Sequence, residues 1–172
     1  MKSLLALSAY VGLCAVLLTP APALAAPVSA RGKAQLVALH PLTLVRKGDL
    51  DFGMITRTAA GTAVINPDTN IMTTTGGVAA LGGLPTAATF VGAAGSASVV
   101  IIRLPRTPLF ITRVGGTETM RVDNWTLQGG TDKRTLARQE SFEFRVGATL
   151  NVGAAQLEGT YVGTFDVTVQ YP

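Results

Sequence analysis

The sequence predicts an all-β protein, a sandwich of about ten short antiparallel strands. Runs in which apolar and polar residues alternate recur along the chain, with the period of two that a strand with one buried face requires. Four glycine doublets predict turns between such runs: Gly76-Gly77, Gly82-Gly83, Gly115-Gly116 and Gly129-Gly130. Turn signals every 8–12 residues or so, without a repeat or a linker, are typical of one β-sandwich domain.

The chain begins with a segment typical of a secretory signal peptide. Lys2 precedes an apolar run over residues 4–18, and Ala-Leu-Ala at residues 23–25 offers a small-x-small cleavage pattern. We expect residues 1–25 to be the signal peptide and residues 26–172 to be a single β-sandwich domain. No segment of this mature chain approaches the roughly 20 apolar residues of a transmembrane helix.

The number of cysteines and the balance of charges exclude some classes of protein. Cys14 would be the lipidated residue of a lipoprotein, but Leu13 stands where the lipoprotein peptidase requires a small side chain, so we favour cleavage after Ala25. The mature chain then has no cysteine, and packing and hydrogen bonds must hold it without disulfides. It carries 13 Lys and Arg against 10 Asp and Glu, scattered without a stripe, which argues against a nucleic-acid partner.

The first half of the mature chain is predicted to hold several short strands. A first strand over residues 33–45 is interrupted at His40-Pro41, because proline donates no ladder hydrogen bond. Arg46-Lys47-Gly48 predicts a turn, after which Leu-Asp-Phe-Gly-Met-Ile at residues 50–55 alternates as a second strand. Pro67-Asp68 is a turn signal. The remaining strands of this half are predicted at residues 61–66, 71–75, 76–86, 88–91 and 97–104.

The second half contains the clearest hairpin signal. Strands over residues 109–114 and 117–124 flank Gly115-Gly116. Residues 128–140 form the most polar stretch of the chain and predict a surface loop, with at most one weak helical turn. From residue 142 to residue 150 apolar side chains then alternate with polar ones, which predicts a strand with one face in the core.

The closing segment, residues 161–171, has the most regular alternation in the chain. Tyr161, Phe165, Val167, Val169 and Tyr171 share one parity with Gly163, and polar residues fill most of the other. The pattern predicts one continuous strand with those five side chains facing the core. We expect the strand over residues 142–150 to be its partner.

The sequence offers little for catalysis or metal binding, and we expect a protein that is not an enzyme and holds no cofactor or metal. The mature chain has one histidine, His40, and no cysteine, which excludes a Cys/His pair. Asp49 and Asp51 share a strand face and could hold Ca²⁺, but a solvent face is the preferred interpretation. Trp125 could be an exposed sugar-stacking ring, but a single tryptophan in a sandwich favours a core position.

Three segments carry a resemblance to a known family: Leu-Asp-Phe-Gly at residues 50–53, FRVGATLNVGAAQLEGTY at residues 144–161, and the closing TFDVTVQY. Together they resemble the bacterial domain-of-unknown-function 4402 family of secreted single-domain proteins, over essentially the whole mature chain. More distantly, the chain resembles the pilin domains of archaic chaperone–usher systems, the spore-coat-U-like proteins, which share an early L-[ND]-F-G and a closing GTY…VTVxY strand.

The pilin resemblance implies an immunoglobulin-like sandwich that lacks one strand, so that the N-terminal extension of the next subunit fills the groove by β-strand addition. The candidate donor is residues 31–39, which present Leu36 and Ala38 in one register or Val37 and Leu39 in the other. The closing segment would wall the groove. The alternative for residues 31–39 is an ordinary first strand that pairs within its own subunit.

The expected function is therefore that of a secreted structural or adhesive surface protein, a pilin-like fimbrial subunit in the periplasm, on the cell surface or in a fimbrium of a Gram-negative bacterium. Its expected partners are other copies or other fimbrial subunits, with a periplasmic chaperone and an usher. The alternative is a self-contained periplasmic or extracellular module that binds carbohydrate or protein. Loss of a glycan-array signal on changing Trp125 would support that alternative.

Overall fold

A computed structural model describes residues 41–95, 98–137 and 141–172, which form two antiparallel sheets. The eleven strands of this described part are β1 (Leu42–Gly48), β2 (Met54–Asn66), β3 (Ile71–Gly82), β4 (Ala88–Ala94), β5 (Ser98–Arg103), β6 (Leu109–Arg113), β7 (Thr119–Leu127), β8 (Lys133–Leu136), β9 (Ser141–Val152), β10 (Tyr161–Val162) and β11 (Thr168–Gln170). Among the described residues no helix has the length and hydropathy needed to cross a membrane.

The larger sheet is built around β9, which is paired along both of its edges. β7 covers one edge, while β4 and β2 share the other, β4 beside the first half of β9 and β2 beside its end. The two partners diverge at Gly147, where a Cβ atom would lie only 2.1 Å from the carbonyl oxygen of Ile65. Glycine is therefore required at the fork of the sheet. The order continues from β4 to β1 and from β7 through β6 to β10, while β3 pairs with β2.

The smaller sheet, in the order β11-β5-β8, packs its apolar face against the larger one. Val100 and Ile102 of β5 lie in one core cluster with Phe90 of β4 and with Phe144 and Val146 of β9. Phe90 and Phe144 stack with ring centroids 5.4 Å apart. The predicted all-β sandwich is thus confirmed, because the apolar faces of two antiparallel sheets meet in one core.

A second core cluster lies around the end of β9. Leu150 and Val152 pack there with Val122 of β7 and Val78 of β3, and the half-buried Phe52 packs against them. Leu50 contacts both clusters. The Leu-Asp-Phe-Gly segment therefore contributes two anchors to the core.

Several strands lie where the sequence predicts them. Residues 61–66 belong to β2, and the β6–β7 hairpin turns at Gly115, whose φ of 76° favours glycine. Pro67 and Asp68 begin the turn between β2 and β3, and the side-chain oxygen of Asn66 accepts the backbone N–H of Asp68 at 2.8 Å. The strand predicted over residues 142–150 lies within β9.

The segment between β1 and β2 differs from its prediction. Arg46, Lys47 and Gly48 belong to β1 and do not form a turn. Residues 50–53 are not in a strand; Asp51 makes a single bridge to Thr86, and its carboxylate accepts the backbone N–H of Gly53 at 2.7 Å. Alternation placed Leu50 and Phe52 correctly inward, but side-chain capping of the backbone replaces the ladder here.

The first glycine doublet is not a turn. β3 continues through Gly76-Gly77, and a Cβ atom at Gly77 would lie 2.3 Å from the backbone nitrogen of Ala59 on β2. The ladder shifts its register here, so these glycines allow a bulge with close backbone approach. The predicted strands at residues 71–75 and 76–86 are therefore one strand that ends at Gly82.

The polar stretch over residues 128–140 was predicted as a loop, and that prediction is wrong for residues 133–136. These residues form β8, which pairs with β5, and Leu136 is buried in the first core cluster. A single apolar residue among charged neighbours gives almost no periodic signal, whereas an open strand edge on β5 stabilises pairing regardless of side chains.

Candidate strand-addition groove

The closing segment is divided between the two sheets, and its prediction as one continuous strand paired with residues 142–150 is wrong. β10 pairs with β6 of the larger sheet, and β11 pairs with β5 of the smaller one. Residues 163–167 cross from one layer to the other without a ladder. β7 occupies one edge of β9 from Val146 to Asn151, and β4 and β2 occupy the other edge, so this part of β9 has no edge left for the closing segment.

The burial of the closing segment nevertheless alternates in the predicted parity. Phe165, Val167, Val169 and Tyr171 are half-buried and pack against the first core cluster, and Tyr161 packs in the same way against the second. The polar residues between them are exposed: Thr164, Asp166, Thr168 and Gln170. The five side chains predicted to face the core therefore do so, but only in part.

Phe165 fixes the crossing between the sheets. Its ring lies 4.6 Å from that of Trp125 and 6.2 Å, edge to face, from that of Phe90. Edge-to-face and tilted aromatic pairs add specific geometry to their apolar burial. The segment without a ladder is thus held by its side chains.

Polar contacts hold the start of the closing segment. The backbone N–H of Val114 donates to the carbonyl of Thr160 at 2.8 Å, and the Tyr161 hydroxyl donates to the carbonyl of Leu157 at 2.7 Å. Beside them the Arg113 guanidinium donates to the Glu118 carboxylate at 2.6 Å. This hydrogen bond lowers the pKa of Glu118 below its ordinary value and raises that of Arg113.

β1 and β11 are the terminal strands of the two sheets, and we call the border between them the groove. β1 pairs only with β4 and β11 only with β5, so each has one edge without a ladder in the described part of the chain. The two strands come within 8 Å of each other between Cα atoms, yet no ladder joins them. The unpaired N–H and C=O groups of such edges are a template for an added strand.

The floor of this groove is apolar. Leu42 and Leu44 of β1 are half-buried against the first core cluster from one side, and Val167, Val169 and Tyr171 are so from the other. Half-buried apolar side chains beside two strand edges that have no ladder among the described residues are the kind of surface to which an extended peptide can add.

Charges lie on the rim of the groove. Arg46 and Lys47 of β1 are exposed, where Arg46 pairs with Asp49 at 2.6 Å and Lys47 pairs with Glu143 at 2.8 Å. Exposed ion pairs of this kind contribute little stability. The groove therefore offers hydrogen bonds and apolar surface, with charge only at its border.

The candidate donor residues Leu36, Val37, Ala38 and Leu39 lie outside the described residues, as do His40 and the predicted signal peptide. The first described residue is Pro41, and β1 begins at Leu42. In the sequence, the candidate donor therefore directly precedes the strand that forms one border of the groove.

The structure brings no catalytic or metal-binding set together in its described part. No group of three or more His, Cys, Asp or Glu side chains there could hold a metal ion. Asp49 pairs with Arg46, and Asp51 caps the backbone at Gly53, so both have structural partners. Trp125 is half-buried and packs against both core clusters, which agrees only in part with the core position favoured from the sequence.

Comparison with known proteins gives one family. A family model described as a domain of unknown function, DUF4402, matches residues 42–171. This range begins at the first residue of β1 and ends just after β11. No curated protein and no solved structure matches the chain.

Proposed function

We propose that this chain, which belongs to the DUF4402 family, is a secreted structural or adhesive surface protein, a fimbrial subunit that assembles by β-strand addition. Its copies are carried by a periplasmic chaperone and an usher to the surface of a Gram-negative cell. The observation that carries the proposal is the groove between β1 and β11, where two unpaired strand edges border half-buried apolar side chains.

The occupant of the groove is residues 31–39 of a second copy. Nine extended residues span about 30 Å, and the apolar stretch of the closing segment from Phe165 to Tyr171 spans about 20 Å. The donor is therefore long enough to cover the groove. Each copy would donate its own residues 31–39 to the groove of one neighbour and accept the same segment of another neighbour in its own groove. Such head-to-tail contacts do not close, so repeated addition forms a fibre.

Two energetic terms favour this contact. Backbone hydrogen bonds from the added strand satisfy the open edge of β1 or that of β11, and alternate donor side chains bury the groove floor. Burial of apolar surface contributes about 25 cal/mol per Å², so two inserted side chains such as Leu36 and Ala38 add a few kcal/mol. In the other register Val37 and Leu39 supply this term.

The first test compares the mature protein, residues 26–172, with a variant that lacks residues 26–39. We expect the mature protein to form ladders of oligomers that survive mild denaturant without heating, and the deletion variant to remain monomeric. A deletion variant that still forms ladders contradicts the proposal. A mature protein that stays monomeric, and that loses stability on deletion, shows instead that the segment pairs within its own subunit.

Single substitutions by aspartate then show which register the donor strand adopts in the groove. Leu36→Asp abolishes the ladders if Leu36 and Ala38 insert, whereas Val37→Asp abolishes them if Val37 and Leu39 do, and each variant serves as the matched control of the other. Equal behaviour of the two variants is incompatible with an inserted strand, because adjacent residues of a strand point to opposite faces.

A peptide provides an independent test. A synthetic peptide of residues 31–39 added to the deletion variant should slow amide hydrogen exchange in the strand that it joins, β1 or β11, and leave β9 unchanged, because β9 lies inside the larger sheet. A scrambled peptide is the control. If the peptide gives no protection, or if the scrambled peptide gives the same protection, the groove is not the binding site.

A further inference from the structure

A second surface feature is a cleft of about 630 Å³ between the end of β2, the end of β5 and β7. It lies within the size range of pockets that bind small ligands. Its lining includes Trp125, Arg103, Arg106, Asp68 and Asp132. This combination of one aromatic ring with several charged groups differs from the apolar floor of the groove between β1 and β11.

Trp125 offers the cleft an apolar surface. The residue is half-buried, but its indole Nε1 is fully buried and has no hydrogen-bond partner among the described residues. Any ring atom that faces the cleft is therefore carbon. A ligand can stack on this surface but cannot accept a hydrogen bond from it.

The charged side chains of the cleft differ in whether they have a bonding partner among the described residues. Asp68 accepts the backbone N–H of Gly129 at 2.8 Å, and Asp132 lies 3.8 Å from the guanidinium of Arg103. Arg106 is exposed and forms neither an ion pair nor a hydrogen bond with any described residue. The cleft thus presents a free guanidinium, whose planar fork is suited to bind a carboxylate through two hydrogen bonds.

We infer that this cleft binds a carboxylated sugar, a uronic acid unit of a polysaccharide. The guanidinium of Arg106 pairs with the sugar carboxylate, and the C–H face of the sugar ring packs on the exposed carbons of Trp125. A pyranose has one face rich in C–H groups and a polar rim, so an aromatic surface beside polar side chains matches it. This site does not depend on strand addition, because the cleft is formed by residues of a single copy.

The chain's single tryptophan makes the test direct, since all tryptophan fluorescence comes from the cleft. We expect trigalacturonate to change the fluorescence of the mature protein in a saturable way. Neutral galactotriose and sodium acetate, at the same concentration and ionic strength, should leave it unchanged. An equal response to acetate would overturn the sugar assignment in favour of a simple anion site, and no response to trigalacturonate would overturn the site itself.

Two variants separate the guanidinium from general charge. Arg106→Gln should weaken the binding of trigalacturonate by about tenfold or more, which corresponds to about 1.4 kcal/mol. Lys133→Gln, which removes the same charge from an exposed residue of β8 outside the cleft lining, should change it less than about twofold. Near-ultraviolet circular dichroism verifies that both variants are folded. Equal weakening by both variants, or by neither, contradicts the role of Arg106.

Discussion

Strand β9 and the closing segment have the same alternation in sequence and opposite situations in the fold. β9 has partners on both edges from Val146 to Asn151, and its inward side chains are buried. The closing segment pairs only at its two ends, each time on one side and with a different sheet, and its inward side chains are half-buried. Alternation thus determines which face is inward, but not how many neighbours a strand has.

The difference matters for function because a strand with both edges paired cannot accept another strand. The ladders of β9 are formed within one copy, so its stability does not depend on a second copy. Among the described residues β11 has a ladder on one side only, so its other edge could pair with an added strand. In the proposed assembly, this edge is the surface that a second copy would cover.

The largest expected effect compares two phenylalanines. Phe144 of β9 is fully buried, whereas Phe165 of the closing segment is half-buried. Phe144→Ala should lower the free energy of unfolding by about 3–5 kcal/mol, and Phe165→Ala by about 1–2 kcal/mol, because less surface is lost from the core. Urea unfolding of the monomer measures both.

The exposed Phe110 of β6 is the control for this pair. Phe110→Ala should change the free energy of unfolding by less than about 0.5 kcal/mol. Equal losses at Phe144 and Phe165 would contradict the contrast between the two regions, because they would mean that the closing segment is as fully packed as β9.

An intermediate effect tests the faces of the closing segment itself. Val167→Glu places a charge on the half-buried face and should lower the free energy of unfolding by about 1–3 kcal/mol. Thr168→Glu adds the same charge on the exposed face and should change it by less than about 0.5 kcal/mol. Thermal unfolding followed by circular dichroism distinguishes them, and equal tolerance of the two charges would refute the assigned faces.

The smallest effect concerns the ion pair beside the closing segment. The pKa of Glu118 is lowered by the hydrogen bond from Arg113, so the folded state binds the proton more weakly than the unfolded state. The stability from this pair is therefore present above the ordinary glutamate value of 4.5 and is lost as the pH falls through the lower pKa of the folded state.

Glu118→Gln should therefore reduce the loss of stability on acidification in that pH window, and unfolding midpoints measured across it report the change. Arg113→Gln should have a smaller effect in the same direction, because backbone hydrogen bonds also lower the Glu118 pKa, and the double variant should behave like Glu118→Gln alone. Additive effects of the two substitutions would show that the stability does not arise from their pairing.

Much of the architecture could be predicted from local patterns. The alternation from Phe142 to Leu150 and the β-branched run of β5 each identified a strand, because burial of one face dictates which residue types are tolerated. The hairpin around Gly115 followed from turn chemistry, which is equally local. These elements depend on their own residues.

Pairing could not be predicted in the same way, because it depends on which edges other strands leave open. The closing segment was assigned to the wrong partner since nothing in its residues records that both edges of β9 are taken. β8 was missed because Leu136 alone carries its burial. Gly76-Gly77 was misassigned because glycine serves a turn and a close backbone approach equally well.

For the two candidate sites the outcome is mixed. The inward residues of the closing segment were named from the sequence, but the border formed by β1 was not, because Leu42 and Leu44 look like any strand. The cleft at Trp125 was missed in the sequence because Arg106 and Asp132 come together only through the packing of β5 against β7 and the loop that follows it.

The position of β11 in the chain also has a consequence for how the molecule folds. β2–β3 and β6–β7 are hairpins between neighbours in sequence, whereas Thr168 of β11 pairs with Arg103, about 65 residues earlier. Contacts between distant residues carry a larger loop-closure entropy and form late. We therefore expect the hairpins of a nascent chain to form first. The closing segment then packs later on the apolar surface around Phe90 and Trp125. During that interval the surface is exposed to aggregation, and a chaperone that shields it would protect folding and subunit delivery at the same place.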